Sequence, residues 1–208
     1  MPKERKNKLT PKEKAVHSLK LLFIGEVLIV IGILSELNVI FEPLAFIALF
    51  AIVGVIIIFV GIFKLIKFNR YFLISALSII AALVIGLVGA IIPFTNPTPE
   101  FQKIFAFFET ISSKFLSMLL VFGIIRGCAK AATGTIEGLF AKIMINVNFY
   151  GKLTALVFSI LEIVFRDIDL PLSKTFAVIS MVLYISVEVF FACFTYLAYK
   201  KAKNTLPK

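Results

Sequence analysis

Tryptophan is absent from this 208-residue chain, histidine occurs once and cysteine twice. Each scarcity removes a class of function. The one histidine, His17, sits among basic residues and leaves no paired-histidine metal motif. Cys128 and Cys193 lie far apart, suggest no metal or disulfide framework, and read as small apolar filler. No phosphate-cradling glycine loop and no nucleophile elbow occurs; Gly127 with Cys128, and Gly134 with Thr135, extend into neither. The expectation is a protein that is not an enzyme, with no catalytic, cofactor-binding or metal-binding residue and no cofactor.

Charge is missing over long distances. Residues 43–63 and 71–99 contain no Asp, Glu, Lys or Arg. A helix crossing a bilayer needs roughly 20 apolar residues, because the hydrocarbon is ~30 Å thick and each residue rises ~1.5 Å. Composition agrees: 60% of the residues are hydrophobic, against about 45–50% in a soluble domain. The basic start followed by an apolar run at 21–34 has no small-residue cleavage site after it, so it reads as an uncleaved first span. The fold class expected is all-α: a polytopic membrane bundle of six transmembrane helices, with apolar segments at 18–38, 43–66, 71–93, 101–126, 147–166 and 171–199.

The charges that remain set a direction. With a cytoplasmic N-terminus, eighteen of the 22 basic residues fall on the inner side, among them Lys64, Lys67, Arg70, Arg126, Lys142, Lys152, Lys200 and Lys201. The outer turns carry Glu36, Glu42, Glu100, Asp167 and Asp169. This satisfies the positive-inside rule and predicts a multi-pass cell-membrane protein with both termini cytoplasmic. The +10 charge is then an orientation signal aided by anionic lipid at the cytoplasmic face, not a nucleic-acid signal. The tyrosines at 71, 150, 196 and 199 fall at inner helix ends, where amphipathic rings suit the headgroup zone. Expected partners are the bilayer, that anionic lipid and a second copy of the chain; nucleic acid is not among them.

The spans repeat. Gly61-Ile62-Phe63-Lys64 ends the second, and Gly123-Ile124-Ile125-Arg126 ends the fourth. Ile31-Gly32-Ile33-Leu34 before Pro43 is matched by Val88-Gly89-Ala90-Ile91 before Pro93. Three parallel two-span units follow: hairpins 18–68, 70–130 and 147–203, flanked by a basic cytoplasmic tail at 1–17 and a second tail at 204–208. The third has lost the glycines. An amphipathic segment at 134–147 lies in the membrane plane or extends the fifth span. Thr10 and Pro11 form a helix start. Small residues seven apart keep one face clear for a neighbouring helix. Gly25 with Gly32, Gly54 with Gly61, and Ser75 with Ala82 and Gly89 form three such rows, and Gly123 joins them as a packing candidate. The cadence of Gly32-Ile33-Leu34, Pro43, Gly54 and Gly61-Ile62, repeated at Gly89, Pro93 and Gly123-Ile124, resembles the HdeD-like family of small bacterial membrane proteins. The resemblance covers about 130 residues and implies six spans in repeated pairs with an envelope or acid-stress role; it supplies no catalytic residue.

Four charges fall inside the apolar segments, and each demands an explanation, since a charge near the bilayer centre costs a few kcal/mol. Glu162 stands four residues before Arg166, the spacing of a local helical pair. Glu26 lies ~9 Å beyond Lys20 and reaches either the headgroups or a neighbouring helix. Glu188 is ~18 Å from Lys200, and Lys114 is equally far from Arg126 if residues 101–115 span rather than lie on the surface. Glu26, Lys114 and Glu188 are therefore the intramembrane charge-pair candidates, and Lys114 with Glu188 is the expected pair, either a structural clasp or a titratable gate. Two functions stay open: a non-enzymatic envelope or acid-stress protein acting through helix packing and protein or lipid contacts, or a small transporter or channel subunit built on Glu188 and Lys114.

Overall fold

The computed structural model describes residues 10–33, 48–131 and 138–205. Within them the chain forms six α-helices: α1 (Pro11–Ile33), α2 (Ala48–Leu65), α3 (Tyr71–Ile91), α4 (Pro99–Ala131), α5 (Gly138–Phe165) and α6 (Leu170–Asn204). A single 3-10 turn, Ile92–Thr95, follows α3. Among the described residues there is no strand.

The helix starts are written in local chemistry. Thr10 and Glu13 form a capping box: the Thr10 N–H donates to Glu13 Oε2 at 2.6 Å, and the Glu13 N–H donates to Thr10 Oγ1 at 3.3 Å. Pro11 takes the first helical position, where a missing N–H costs nothing. A threonine cap also opens α4, where Thr98 Oγ1 accepts from the Phe101 N–H just ahead of Pro99. Asp169 caps α6, accepting from the Leu172 N–H at 3.0 Å. Asn96 turns the chain between α3 and α4 with φ 50, the left-handed region that asparagine tolerates.

Five helices are long and apolar enough to cross a membrane: Pro11–Ile33, Tyr71–Thr95, Pro99–Ala129, Leu139–Phe165 and Leu170–Asn204. The described part of α2 is shorter, 18 residues. The expected turn around Pro43, with Glu36 and Glu42, lies outside the described residues. Two expected boundaries move, and the long helix expected over 101–126 forms. Helix α1 begins at Pro11, so residues 11–17 are helix rather than tail. Residues 101–115 continue into the rest of α4 as one 33-residue helix. Helix α5 begins at Gly138, so the described part of the amphipathic segment extends the fifth span, and Tyr150 stands mid-helix rather than at an end.

Packing closes on itself. Helix α1 packs most extensively on α2, α3 on α4, and α5 on α6; contacts of α1 with α6, α4 with α5, and α2 with α3 complete a circuit. Leu77, Ile80, Leu83 and Leu87 of α3, and Leu49, Ile52 and Ile56 of α2, point outward. In water such a belt would be an aggregation surface; in lipid it is the solvent-matched face.

The seams are built from small residues. A methyl placed on Gly25 would come within 2.8 Å of the Gly54 carbonyl oxygen, and one on Gly54 within 2.6 Å of the Gly25 carbonyl oxygen. The backbones of α1 and α2 therefore nearly touch. Gly32 meets Ala51, and Gly61 meets Leu22 and the Ser18 carbonyl. On α4, Gly123 lies against Ser75 and the Tyr71 carbonyl of α3, and the Ser75 hydroxyl donates to the Leu120 carbonyl at 2.7 Å. Gly89 faces the Glu109 carboxylate. Ala82, between Ser75 and Gly89, does not join a tight seam; it is exposed and borders a cavity. The third hairpin, poor in glycine, uses serine instead. Ser173 and Ser180, seven apart on α6, donate to the carbonyls of Glu162 at 3.0 Å and Ala155 at 2.8 Å on α5. The hydroxyl takes up a carbonyl lone pair and draws the helices together, a recurrent device where no water competes.

Large buried side chains concentrate toward one end of the bundle. Leu22, Ile62, Leu65, Phe72, Ile124 and Phe194 are almost fully buried near the end where α1 starts and α6 finishes. Beyond Ile79 no residue of α3 is buried, and before Met118 none of α4. Gly25→Ala is expected to destabilise the protein by about 1–3 kcal/mol through overpacking. Gly86→Ala, with open space around it, is expected to be neutral or to stabilise by up to ~1 kcal/mol through helix propensity. Thermal unfolding of the two variants in detergent checks the contrast.

Candidate functional site

Midway along the bundle, three helices deliver charged side chains to one level and a fourth delivers a serine. Glu26 is fifteen residues past the start of α1, Lys152 fourteen past the start of α5, and Glu188 sixteen before the end of α6. At ~1.5 Å per residue each stands about 21–24 Å from that end of its helix. Ser117, fourteen residues before the end of α4, falls at the same height.

Lys152 is the hub. It is fully buried, and its Nζ donates to Glu188 Oε1 at 2.7 Å and to Ser117 Oγ at 2.5 Å. One lysine thereby joins α5 to α6 and to α4. The Tyr184 hydroxyl lies beside Glu188 and Ser117. Its ring carries the Lys114 ammonium 3.7 Å from the centroid and the Lys152 ammonium at 5.4 Å, within cation–π range. Glu26 is only 2% exposed. The charges acting on it are Glu188, which repels, and Lys152, which attracts. One turn before Lys152, Asn148 Oδ1 is buried with no hydrogen-bond partner.

Above this layer lies a cavity of about 400 Å³. Its polar lining is Glu26, Ser78, Ser113, Lys114, Ser117, Tyr184 and Glu188; the remainder is apolar, including Ile29, Val55 and Ile79. The three charges singled out from sequence, Glu26, Lys114 and Glu188, thus border one space. The expected partnership is corrected. The cation in contact with Glu188 is Lys152, and Lys114 is held over Tyr184. The error came from the helix boundary. With α5 starting nine residues earlier than 147, Lys152 is carried about 14 Å deeper than an inner-end anchor would be. Glu26 faces its helix neighbours, not the headgroups. Sequence reasoning missed Lys152, Ser117 and Tyr184. The available signal was that Lys152 lies within an apolar run, at 147–166, whose only other charges are Glu162 and Arg166.

At the far end the charges are exposed. Arg166 pairs with Glu162 at 2.6 Å across one turn. Lys103 pairs with Asp167, tying α4 to the turn before α6, and this contact holds the Asp167 carboxyl below the usual range by its hydrogen bond first and its charge second. Exposed pairs of this kind contribute little to stability. Among the described residues no group of His, Cys, Asp and Glu is arranged to hold a metal ion. Chemically, the buried layer holds opposite charges in register and offers acceptor oxygens to whatever occupies the cavity.

Comparison of the chain with protein-family models, with curated proteins and with solved structures returns no match.

Breaking a buried pair leaves the partner charge stranded, which typically costs about 3–5 kcal/mol. Lys152→Met and Glu188→Gln are each expected to destabilise by that order, and the double variant by clearly less than the sum. A double-mutant cycle on unfolding in detergent measures the coupling; additive losses would remove the pair from the account.

Proposed function

We propose that this is a non-enzymatic integral protein of the cell membrane that crosses it six times with both tails in the cytosol. It acts through helix packing and through contacts with lipid and protein. The observation that carries this reading is the closed circuit of apolar helices clasped internally by the Lys152–Glu188 pair. A buried ion pair joining helices of one bundle is a registry device, fixing which helices are neighbours and at what height. Helix α2 supplies the sixth crossing, since residues 43–63 carry no charge. The repeat of three hairpins gains support from the strong pairing of α1 with α2, α3 with α4, and α5 with α6.

The orientation follows from the cations left at the packed end, including Lys64, Lys67, Arg70, Arg126, Lys142 and Lys200, against Glu100, Asp167 and Asp169 at the other. Losing Lys152 to the interior leaves that asymmetry intact. The cations at the packed end would also attract anionic lipid, and a second copy of the chain is a further partner within this proposal. The HdeD-like cadence adds an envelope or acid-stress setting to the proposal. Cysteine-accessibility labelling tests the layout. A cysteine at position 97 should react only from outside the cell and one at position 204 only from the cytosol.

Glu188 is paired, as a structural role requires, and it also borders a cavity, as a transport role requires. Proton flux separates the two. Reconstituted wild-type vesicles are expected to leak no faster than protein-free vesicles. A flux that Glu188→Gln abolishes would transfer the function to the transporter reading.

A further inference from the structure

Glu26 differs from the other buried charges. It is 2% exposed, it borders the 400 Å³ cavity, and among the described residues no hydrogen bond or ion pair engages its carboxylate. Lys152, the cation acting on it, is already committed to Glu188 and Ser117 at 2.7 and 2.5 Å. The Lys152 charge therefore acts on both Glu26 and Glu188, and only Glu188 is in direct contact with it. A carboxylate in so little water is costly unless a donor or a positive charge meets it.

The hydroxyls that border the cavity have their protons already committed. The Ser78 hydroxyl spends its proton on the Ile74 carbonyl at 2.9 Å, and the Ser113 hydroxyl spends its own on Thr110 at 3.1 Å. The Tyr184 hydroxyl lies beside Glu188 and Ser117. These oxygens present lone pairs to the interior. Lys114 also lines the space, held against the Tyr184 ring. The volume is many times that of a bare ion, and Ile29, Val55, Ile79 and Leu120 supply an apolar surround.

We propose that the cavity is a binding site for a small organic cation, an ammonium group on a short apolar body, with Glu26 as its counter-ion, Ser78 as an acceptor and the aliphatic wall around the body. The site stands on the cavity and on Glu26 alone, so it holds whichever way the chain faces and whether or not the protein transports anything.

The test uses the full chain in detergent, with n-butylammonium chloride as probe and n-butanol and sodium chloride as controls. Butylammonium should raise the unfolding temperature in a saturable way, while butanol and equal ionic strength of sodium chloride should not. Glu26→Gln should weaken the apparent affinity by at least about tenfold, the loss expected for a charge-assisted contact. Glu162→Gln, at the far end, should leave it unchanged. On wild-type protein, butylammonium should protect Glu26 from an apolar carbodiimide, read by peptide mass, which keeps the test open if Glu26→Gln does not fold. Absence of any butylammonium shift, an equal shift with sodium, or unchanged carbodiimide labelling would each overturn the proposal.

Discussion

A lysine with no exposure to solvent organises this bundle. Lys152 cannot be left alone in a low-dielectric interior, so the helices that surround it must bring it acceptors at one height. Glu188 from α6 and Ser117 from α4 do so at 2.7 and 2.5 Å. That requirement fixes the register of α4, α5 and α6 relative to one another. A slide of one helix by a turn, ~5.4 Å, would strand the charge. Hydrophobic contact alone imposes no such register among helices in lipid, where the tails are as apolar as leucine.

Close approach of the backbones makes the register reachable. Gly25 and Gly54 oppose each other across α1 and α2, Gly123 meets Ser75 across α4 and α3, and Ser173 and Ser180 bond the carbonyls of α5. The three seams solve one problem with two chemistries: removal of a side chain, or a short side chain that bonds the neighbour's backbone. The core is filled around Phe72, Ile124 and Phe194, and it opens into a cavity above the charged layer.

Much of this was legible in the sequence, and the misses share a cause. Uncharged runs gave the helices, Thr10 with Pro11 gave the first cap, and seven-residue spacing of small residues gave the faces of α1 and α2 that the structure brings together. Glu26, Lys114 and Glu188 were identifiable because charge is conspicuous in an apolar run, and all three border the same cavity. The partner of Glu188 was not legible, because depth was counted from the nearest cation rather than from the helix end. Helix α5 starts well before its apolar stretch, so Lys152 looked like an anchor and is a core residue. The serine seam of α5 and α6 keeps the seven-residue spacing at Ser173 and Ser180, but spacing alone does not show that a hydroxyl bonds a neighbouring backbone. Ala82 had the spacing without the contact, since periodicity reports a face and not what stands opposite it.

The central claim is a direct contact between two charged groups inside the bundle, and a distance measurement in a bilayer addresses it without perturbing the fold. Protein carrying 15N at the Lys152 side chain and 13C at the Glu188 carboxyl, reconstituted in lipid, can be read by dipolar recoupling in solid-state NMR. The account predicts strong dephasing between these nuclei, matching the 2.7 Å contact. Its absence, with the Glu188 carboxyl recoupled to a different lysine, would contradict the architecture described above.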